Sequence, residues 1–401
     1  MTHIFRALFA LGFAAAFSQM SYAEKKYDTG ASDTEIKIGQ TMPYSGPASA
    51  YGTIGLAQVA YFKMINEQGG INGRRINLIS LDDGYSPPRT VEQVRKLVEE
   101  EQVLFLFQTL GTPPNSAIQK YVNAKKIPHL FLSTGATKWG DPQHFPWTIG
   151  WNPSYQTESH IYAKYLLKSK PSARIAVMYQ NDDYGKDLLK GLRDGLGNEA
   201  DKLIIKEVTY EVTDPTVDSQ IVSLQGSGAD TFFIFATPKF AAQAIRKSVD
   251  IGWKPLTFLN NVSTSLATVL QPAGLDKSVG LITANYVKDP TDPQWKNDAG
   301  MKDWLVWMKK YYPEGSVADV FNVYAYAVSQ TLVQTLKQCG DDLTRENVMR
   351  QATNLRNLEI PVLLPGIKLN TSPTDYYPIE QLQLERFDGT RWVLFGELLG
   401  K

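Results

Sequence analysis

Apolar and polar positions follow two rhythms along most of this chain. Short apolar runs at 35–39, 75–81, 103–107 and 129–133 have the length and the β-branched or aromatic content of strands. Between them, apolar residues recur at helical spacing: Leu56, Val59, Ala60, Met64 and Ile65, then Val91, Val94, Leu97 and Val98. Gly69-Gly70 stops the first of these helices, and Pro87-Pro88 opens the second. The run at 103–107 is apolar throughout, as a strand buried on both faces is. Strand, loop and helix alternate, which predicts an α/β fold with a parallel, doubly wound sheet.

The pattern restarts near residue 155. A helix around 162–167 leads to strands at 174–179, 203–208, 231–236, 256–259 and 281–286, with helices at 218–225 and 240–251. A long helix is predicted over 318–337, and the tail at 379–397 reads as a β-hairpin turning at Asp388-Gly389. Two α/β units with a cleft between them are expected.

Composition and charge narrow the field. Of 401 residues, 43% are hydrophobic and 20% charged, as in an ordinary folded domain. Lys plus Arg equals Asp plus Glu at 41 each, so there is no basic footprint for nucleic acid. Four His and one Cys leave no ligand set for a structural zinc or an iron–sulfur cluster, and no cofactor is expected. The first 23 residues read as a signal peptide: Arg6, an apolar run over 7–17, then Ser21-Tyr22-Ala23, with cleavage after Ala23 and a periplasmic address. Cys339 closes a helical stretch and reads as a structural, partly buried thiol.

No catalytic constellation stands out. There is no Gly-x-Ser-x-Gly elbow, no Walker loop and no His-Glu-x-x-His. The pairs Asp82-Asp83 and Asp182-Asp183 end strands before turns, where Asp solvates or caps backbone. His129 sits in an apolar strand and reads as a core residue. The predicted βα loops are more informative, and the first of them, 41–52, follows a strand end where open α/β sheets bind ligands. These loops carry hydroxyls, Gly or an aromatic: Tyr44, Ser45 and Tyr51, then Thr112, Thr134, Thr137, Tyr184 and Thr237. Hydroxyls and free N–H groups at helix starts suit a carboxylate, and aromatic faces suit an apolar or cationic remainder. Taken singly, each hydroxyl reads as a helix cap, and it is their recurrence at successive strand ends that points to a site.

The order of several motifs resembles the branched-chain amino acid (leucine/isoleucine/valine-binding) family of periplasmic solute-binding proteins of ABC importers. These are Ser45-Gly-Pro47 with Tyr51-Gly52, Ile65-Asn66 with 69–73, Asp82-Asp83, and Tyr184-Gly185. The resemblance implies a type I periplasmic binding protein: two Rossmann-like lobes, three crossings and a central ligand cleft, without catalysis. The lobes would comprise 34–152 with 282–370, and 153–281 with 371–398. It further implies ligand contacts at Tyr51, Thr112, Gly135, Thr137, Tyr184, Thr237 and Asn261, with Thr112, Gly135 and Thr137 holding a carboxylate. The expected partners are a small-molecule carboxylate and an inner-membrane permease, with the protein a monomer.

Three departures from that family pattern bear on the ligand. The stretch 258–263 offers Asn260 and Asn261 where an acid would meet an α-ammonium. Thr237 stands where an aromatic is usual, and Tyr85 and Gly111 occupy the places of the family's early disulfide. A buried ammonium without a counter-charge is costly, so an aromatic or aliphatic acid without an ammonium is expected. The alternatives are an exported hydrolase-like enzyme, which would need a base among His129, His144 and His160, and a ligand-sensing module for a receptor.

Overall fold

The computed structural model of the chain describes residues 25–400, and the signal-peptide reading lies outside that range. Five parallel strands form the first sheet, in the order Arg75–Asp82, Glu35–Met42, Phe105–Phe107, His129–Leu132, Thr148–Gly150. The second sheet repeats this winding with Ile204–Tyr210, Ile175–Gln180, Thr231–Phe235, Leu256–Leu259 and Ile282–Asn285. Two antiparallel strands, Gln381–Phe387 and Trp392–Gly400, extend it at one edge. In each sheet the strand order reverses beside the first strand of its unit. That switch point opens a crevice at the strands' C-terminal ends, and here the two crevices face each other.

Burial explains why the apolar runs were readable. Every residue of Phe105–Phe107, His129–Leu132 and Thr231–Phe235 is buried, because helices cover both faces of each sheet. The longest helix, Val320–Cys339, returns to the first lobe and lies along Gly52–Glu67, where Tyr61 meets Tyr326 edge-on at 5.1 Å between ring centroids. The helices Ala299–Tyr311 and Arg345–Ala352 were not anticipated from the sequence.

The crossings fall elsewhere than expected. Ile282–Asn285 pairs with Leu256–Leu259 and with Gln381–Phe387, so it belongs to the second sheet and the chain leaves that lobe after it. Residues 371–378 stay on the first lobe. Thr371 Oγ1 donates to Ala352 O at 2.9 Å, and the Tyr376 and Tyr377 hydroxyls donate to Pro146 O at 3.1 Å and Thr137 O at 2.6 Å. The boundary at 282 came with the family resemblance, and the apolarity of 281–286 does not reveal which sheet that strand joins.

The acidic pairs are structural. Asp82 accepts from the Gly84 and Ser45 amides, and buried Asp83 accepts from Tyr85 N–H at 2.9 Å and Thr90 Oγ1 at 2.8 Å. Asp182 caps Asp183–Leu196 through the Tyr184 and Gly185 amides. His129 is fully buried beside Thr109, and burial holds its imidazole neutral by pushing its pKa down to about 3. Cys339 is buried, its thiol donates to Thr335 O, and burial pushes it up to about 12, so it is not a thiolate.

Candidate functional site

Between the two crevices lies a cavity enclosing about 610 Å³ not occupied by protein atoms, its mouth included. Its first-lobe wall is Tyr51, Tyr85, Leu110, Gly111, Thr112 and Ser133, all from loops after strands or the helix starts they lead into. The second lobe presents Tyr155, Tyr184, Thr237, Asn261 and Val262. Asn152, Asn285 and Tyr286 come from the crossings, and Phe321 and Tyr324 from the long helix.

Of the sequence-predicted residues, Tyr51, Thr112, Tyr184, Thr237 and Asn261 meet here. Tyr51 packs on Phe321 at 5.2 Å between centroids, and its hydroxyl crosses the cleft to donate to Val262 O at 2.9 Å. Thr112 Oγ1 lies 2.6 Å from Thr134 Oγ1. Tyr184 stands edge-on to Tyr155 at 5.3 Å, and its hydroxyl accepts from Asn260 Nδ2 at 2.8 Å. Thr237 is held from behind: its N–H donates to the Tyr210 hydroxyl at 3.0 Å.

Gly135 and Thr137 do not line the cavity. The Thr137 N–H and hydroxyl both donate to Asp187 Oδ2, at 2.8 and 2.9 Å, and Gln156 Nε2 donates to Asp187 Oδ1 at 2.7 Å. Thr137 is therefore part of a bridge between the lobes. The Gly135 carbonyl accepts from Tyr155 N–H at 2.7 Å. Tyr44 and Ser45 are also spent within the first lobe, on Ser80 and Asp82.

The two positions of the expected disulfide are neighbours in space. Gly111 has φ +98°, and a Cβ there would sit 2.4 Å from the Tyr85 ring. The glycine thus admits an aromatic ring where the family pattern places a bond, and it brings Tyr85 to the cavity.

No Asp, Glu, His, Lys or Arg side chain lines the cavity, while six tyrosines do. Burial pushes the hydroxyls of Tyr51, Tyr85, Tyr184 and Tyr286 well above the ordinary tyrosine range, so they stay neutral. Behind the second-lobe wall sits Glu158, fully buried. Its Oε1 accepts from Asn261 N–H and from the Tyr162 hydroxyl, both at 2.7 Å, and its Oε2 has no protein partner. Burial pushes this carboxyl up to about 8, so it is a neutral acid at neutral pH. From the far edge of the sheet, Trp392 Nε1 donates to Thr264 O at 2.9 Å and fixes the end of the same loop.

Sequence reasoning missed Tyr85, Asn152, Tyr155, Asn285, Tyr286, Phe321 and Tyr324. Tyr155 opens the second unit beside Ser154, a helix cap whose hydroxyl accepts from Thr157 N–H, and that Ser-Tyr start was a usable signal. Tyr184→Phe is expected to destabilise the second lobe by about 1 kcal/mol, because Asn260 Nδ2 loses its acceptor. Urea denaturation checks this, and an unchanged midpoint would mean that the hydroxyl serves the ligand alone.

Known proteins match this chain in family and fold. A family model for periplasmic binding proteins matches residues 35–386. The Leu/Ile/Val-binding protein homolog 1 of Brucella abortus is 25% identical over 331 residues, covering 79% of this chain and 82% of the relative. The Leu/Ile/Val-binding protein of Escherichia coli is 28% identical over 196 residues, 48% of this chain and 49% of that protein. In fold, the chain is similar to a branched-chain amino acid ABC transporter protein from Thermus thermophilus with bound valine. That match has a TM-score of 0.82 and 16% identity over 92% of this chain and 98% of the other. A fatty acid ABC transporter substrate-binding protein from Thermomonospora curvata superposes with a TM-score of 0.78 and 21% identity, covering 94% and 95%.

Proposed function

This chain belongs to the periplasmic binding protein family, and on that premise we propose that it is the solute-binding component of an ABC importer, capturing a small organic molecule that lacks an ammonium group. It is a solute-binding protein of the Leu/Ile/Val-binding type and not an enzyme. The observation that carries the ligand reading is the cavity wall: six tyrosines and no carboxylate. An amino acid would bury its ammonium there without a counter-charge. Tyrosine faces and Phe321 instead suit an aromatic or aliphatic body. The relative from Thermomonospora curvata, a fatty acid transporter's substrate-binding protein, is compatible with a ligand of that kind.

The sequence expectation of a carboxylic acid keeps support at Thr112 and loses it at Gly135 and Thr137. In the proposed cycle, ligand enters an open cleft, the lobes close, and the bonds from Tyr51 to Val262 and from Thr137 to Asp187 form. The closed protein, a monomer exported behind its leader, then docks on an inner-membrane permease.

A thermal-shift screen of the chain from Glu24 tests this reading with branched-chain amino acids, aromatic and aliphatic acids, and their amides. A ligand at a hundredfold excess over Kd adds about 2.7 kcal/mol of apparent stability. The expected stabilisers lack an ammonium. Micromolar binding of leucine or valine, with none by the others, would overturn the proposal.

A further inference from the structure

We infer that Tyr85 is the specificity-determining side chain that sets how large a ligand this cavity accepts. This rests on the solute-binding reading and deepens it, since it concerns the size of the captured molecule.

The backbone that carries Tyr85 is unusual. It lies in a four-residue turn, 83–86, closed by Ser86 N–H donating to Asp83 O at 3.0 Å. Both central residues, Gly84 and Tyr85, have positive φ, +57° and +61°. Glycine, asparagine or aspartate is the usual occupant of such positions, and a bulky side chain there is strained. The turn is held from below. Fully buried Asp83 accepts from Tyr85 N–H at 2.9 Å and from Thr90 Oγ1 at 2.8 Å. Strain that the surroundings over-determine in this way points to a role for the side chain it positions.

The facing loop is shaped for the same ring. Gly111, at φ +98°, has no side chain, and a Cβ on it would collide with the Tyr85 ring. Two positions of uncommon backbone, on loops after different strands, thus lay one phenol ring against bare main chain. Tyr85 is 5% exposed and lines the cavity. Gln180 and Asp182 of the second lobe act on its hydroxyl but do not line the cavity. The ring therefore stands between the ligand space and these two polar side chains, and closes the cavity on that side. Other aromatic walls serve the frame. The hydroxyls of Tyr51, Tyr184 and Tyr324 bond to Val262, to Asn260, and to Ser133 and Asn152, so trimming them would loosen the walls themselves. A tyrosine side chain buries roughly 150–250 Å² and a methylene about 30 Å², so removing this ring opens room for several methylenes.

Isothermal titration of the mature chain tests this with two size series: straight-chain alkanoates from propanoate to decanoate, and ω-phenylalkanoates from phenylacetate upward. Their 2-amino counterparts are run beside them. Within a series, Kd is expected to fall about fourfold per methylene until the cavity is full. Tyr85→Gly suits the positive φ and removes the ring. The first member that the parent rejects should bind this variant at least about tenfold more tightly than it binds the parent. Tyr85→Asn, also at ease with that backbone, should extend the series likewise, whereas Tyr85→Phe keeps the ring and the parent's limit. A purely structural Tyr85 would weaken every member alike and leave the limit in place. A limit that stays put in either ring-free variant, or moves equally in Tyr85→Phe, overturns the inference. If the 2-amino series binds the parent more tightly than the others, the ammonium-free reading falls instead, and the size limit is read in that series. Binding of no member to parent or variants overturns both.

Discussion

Glu158→Ala is expected to lower the thermal midpoint of the second lobe by roughly 6–12 °C, from a loss of about 3 kcal/mol. The substitution leaves the buried Asn261 N–H without an acceptor and opens a void beside Tyr162. Glu158→Gln keeps the shape and the acceptor, and should stay within about 1 kcal/mol of the parent. The pair also reads the protonation state. The folded carboxyl titrates near 8, against an ordinary glutamate value of about 4.5, so the folded state binds more protons between those values. Stability is therefore lost as pH rises from about 4.5 to about 8, at up to about 1.4 kcal/mol per pH unit from this group alone. Asp289 and Asp319, pushed up to about 6 by burial, add slope chiefly below pH 6. Between pH 6 and 8, Glu158→Gln should flatten the profile by one proton's worth, while buried Glu385 acts equally in both proteins. Denaturation midpoints over that window give the answer. An unchanged slope would mean that Glu158 is ionised in the fold.

Asp187→Ala is expected to weaken ligand binding about thirtyfold, equivalent to about 2 kcal/mol. Its carboxylate accepts from the Thr137 amide and hydroxyl across the cleft, contacts made only when the lobes are together. The loss should appear in closure and not in folding. The unliganded midpoint should hardly move, while small-angle scattering should show a larger radius of gyration at a given ligand concentration. Thr137→Val removes part of the same bridge, so the double variant should lose much less than the two single losses added together. A Kd within twofold of the parent for Asp187→Ala would show that the bridge adds nothing to capture.

The same bridge shows where the sequence stopped being informative. Apolar runs such as 103–107 were legible because strands covered on both faces need unbroken apolarity. Tyr51, Thr112, Tyr184, Thr237 and Asn261 were legible because loops after parallel strands gather at the cleft. Thr137 satisfied the same rule and still went elsewhere, since nothing local marks Asp187, on a helix of the other lobe, as its acceptor. Phe321 and Tyr324 were missed for another reason. The helix Val320–Cys339 is buried on nearly every side, so no polar face marks the side turned to the cavity. The restart at residue 155 located the second unit, but the partners of Ile282–Asn285 depend on a hairpin a hundred residues later.

That late hairpin has a consequence for how the molecule is made. A chain is synthesised from its N-terminus, and the residues that emerge first build most of the first sheet. Yet Gly52–Glu67 lacks its packing partner until Val320–Cys339 has appeared, and the second sheet lacks its edge until Trp392–Gly400 has. Trp392, almost the last large side chain, also steadies Thr264 at the back of the cavity. Neither half can mature as an autonomous vectorial unit, and the contacts that finish both halves span most of the chain. Such long-range closure slows folding and prolongs exposure of apolar edges. A nascent chain stalled before its final twenty residues would therefore have neither a finished second sheet nor a ligand-competent cleft.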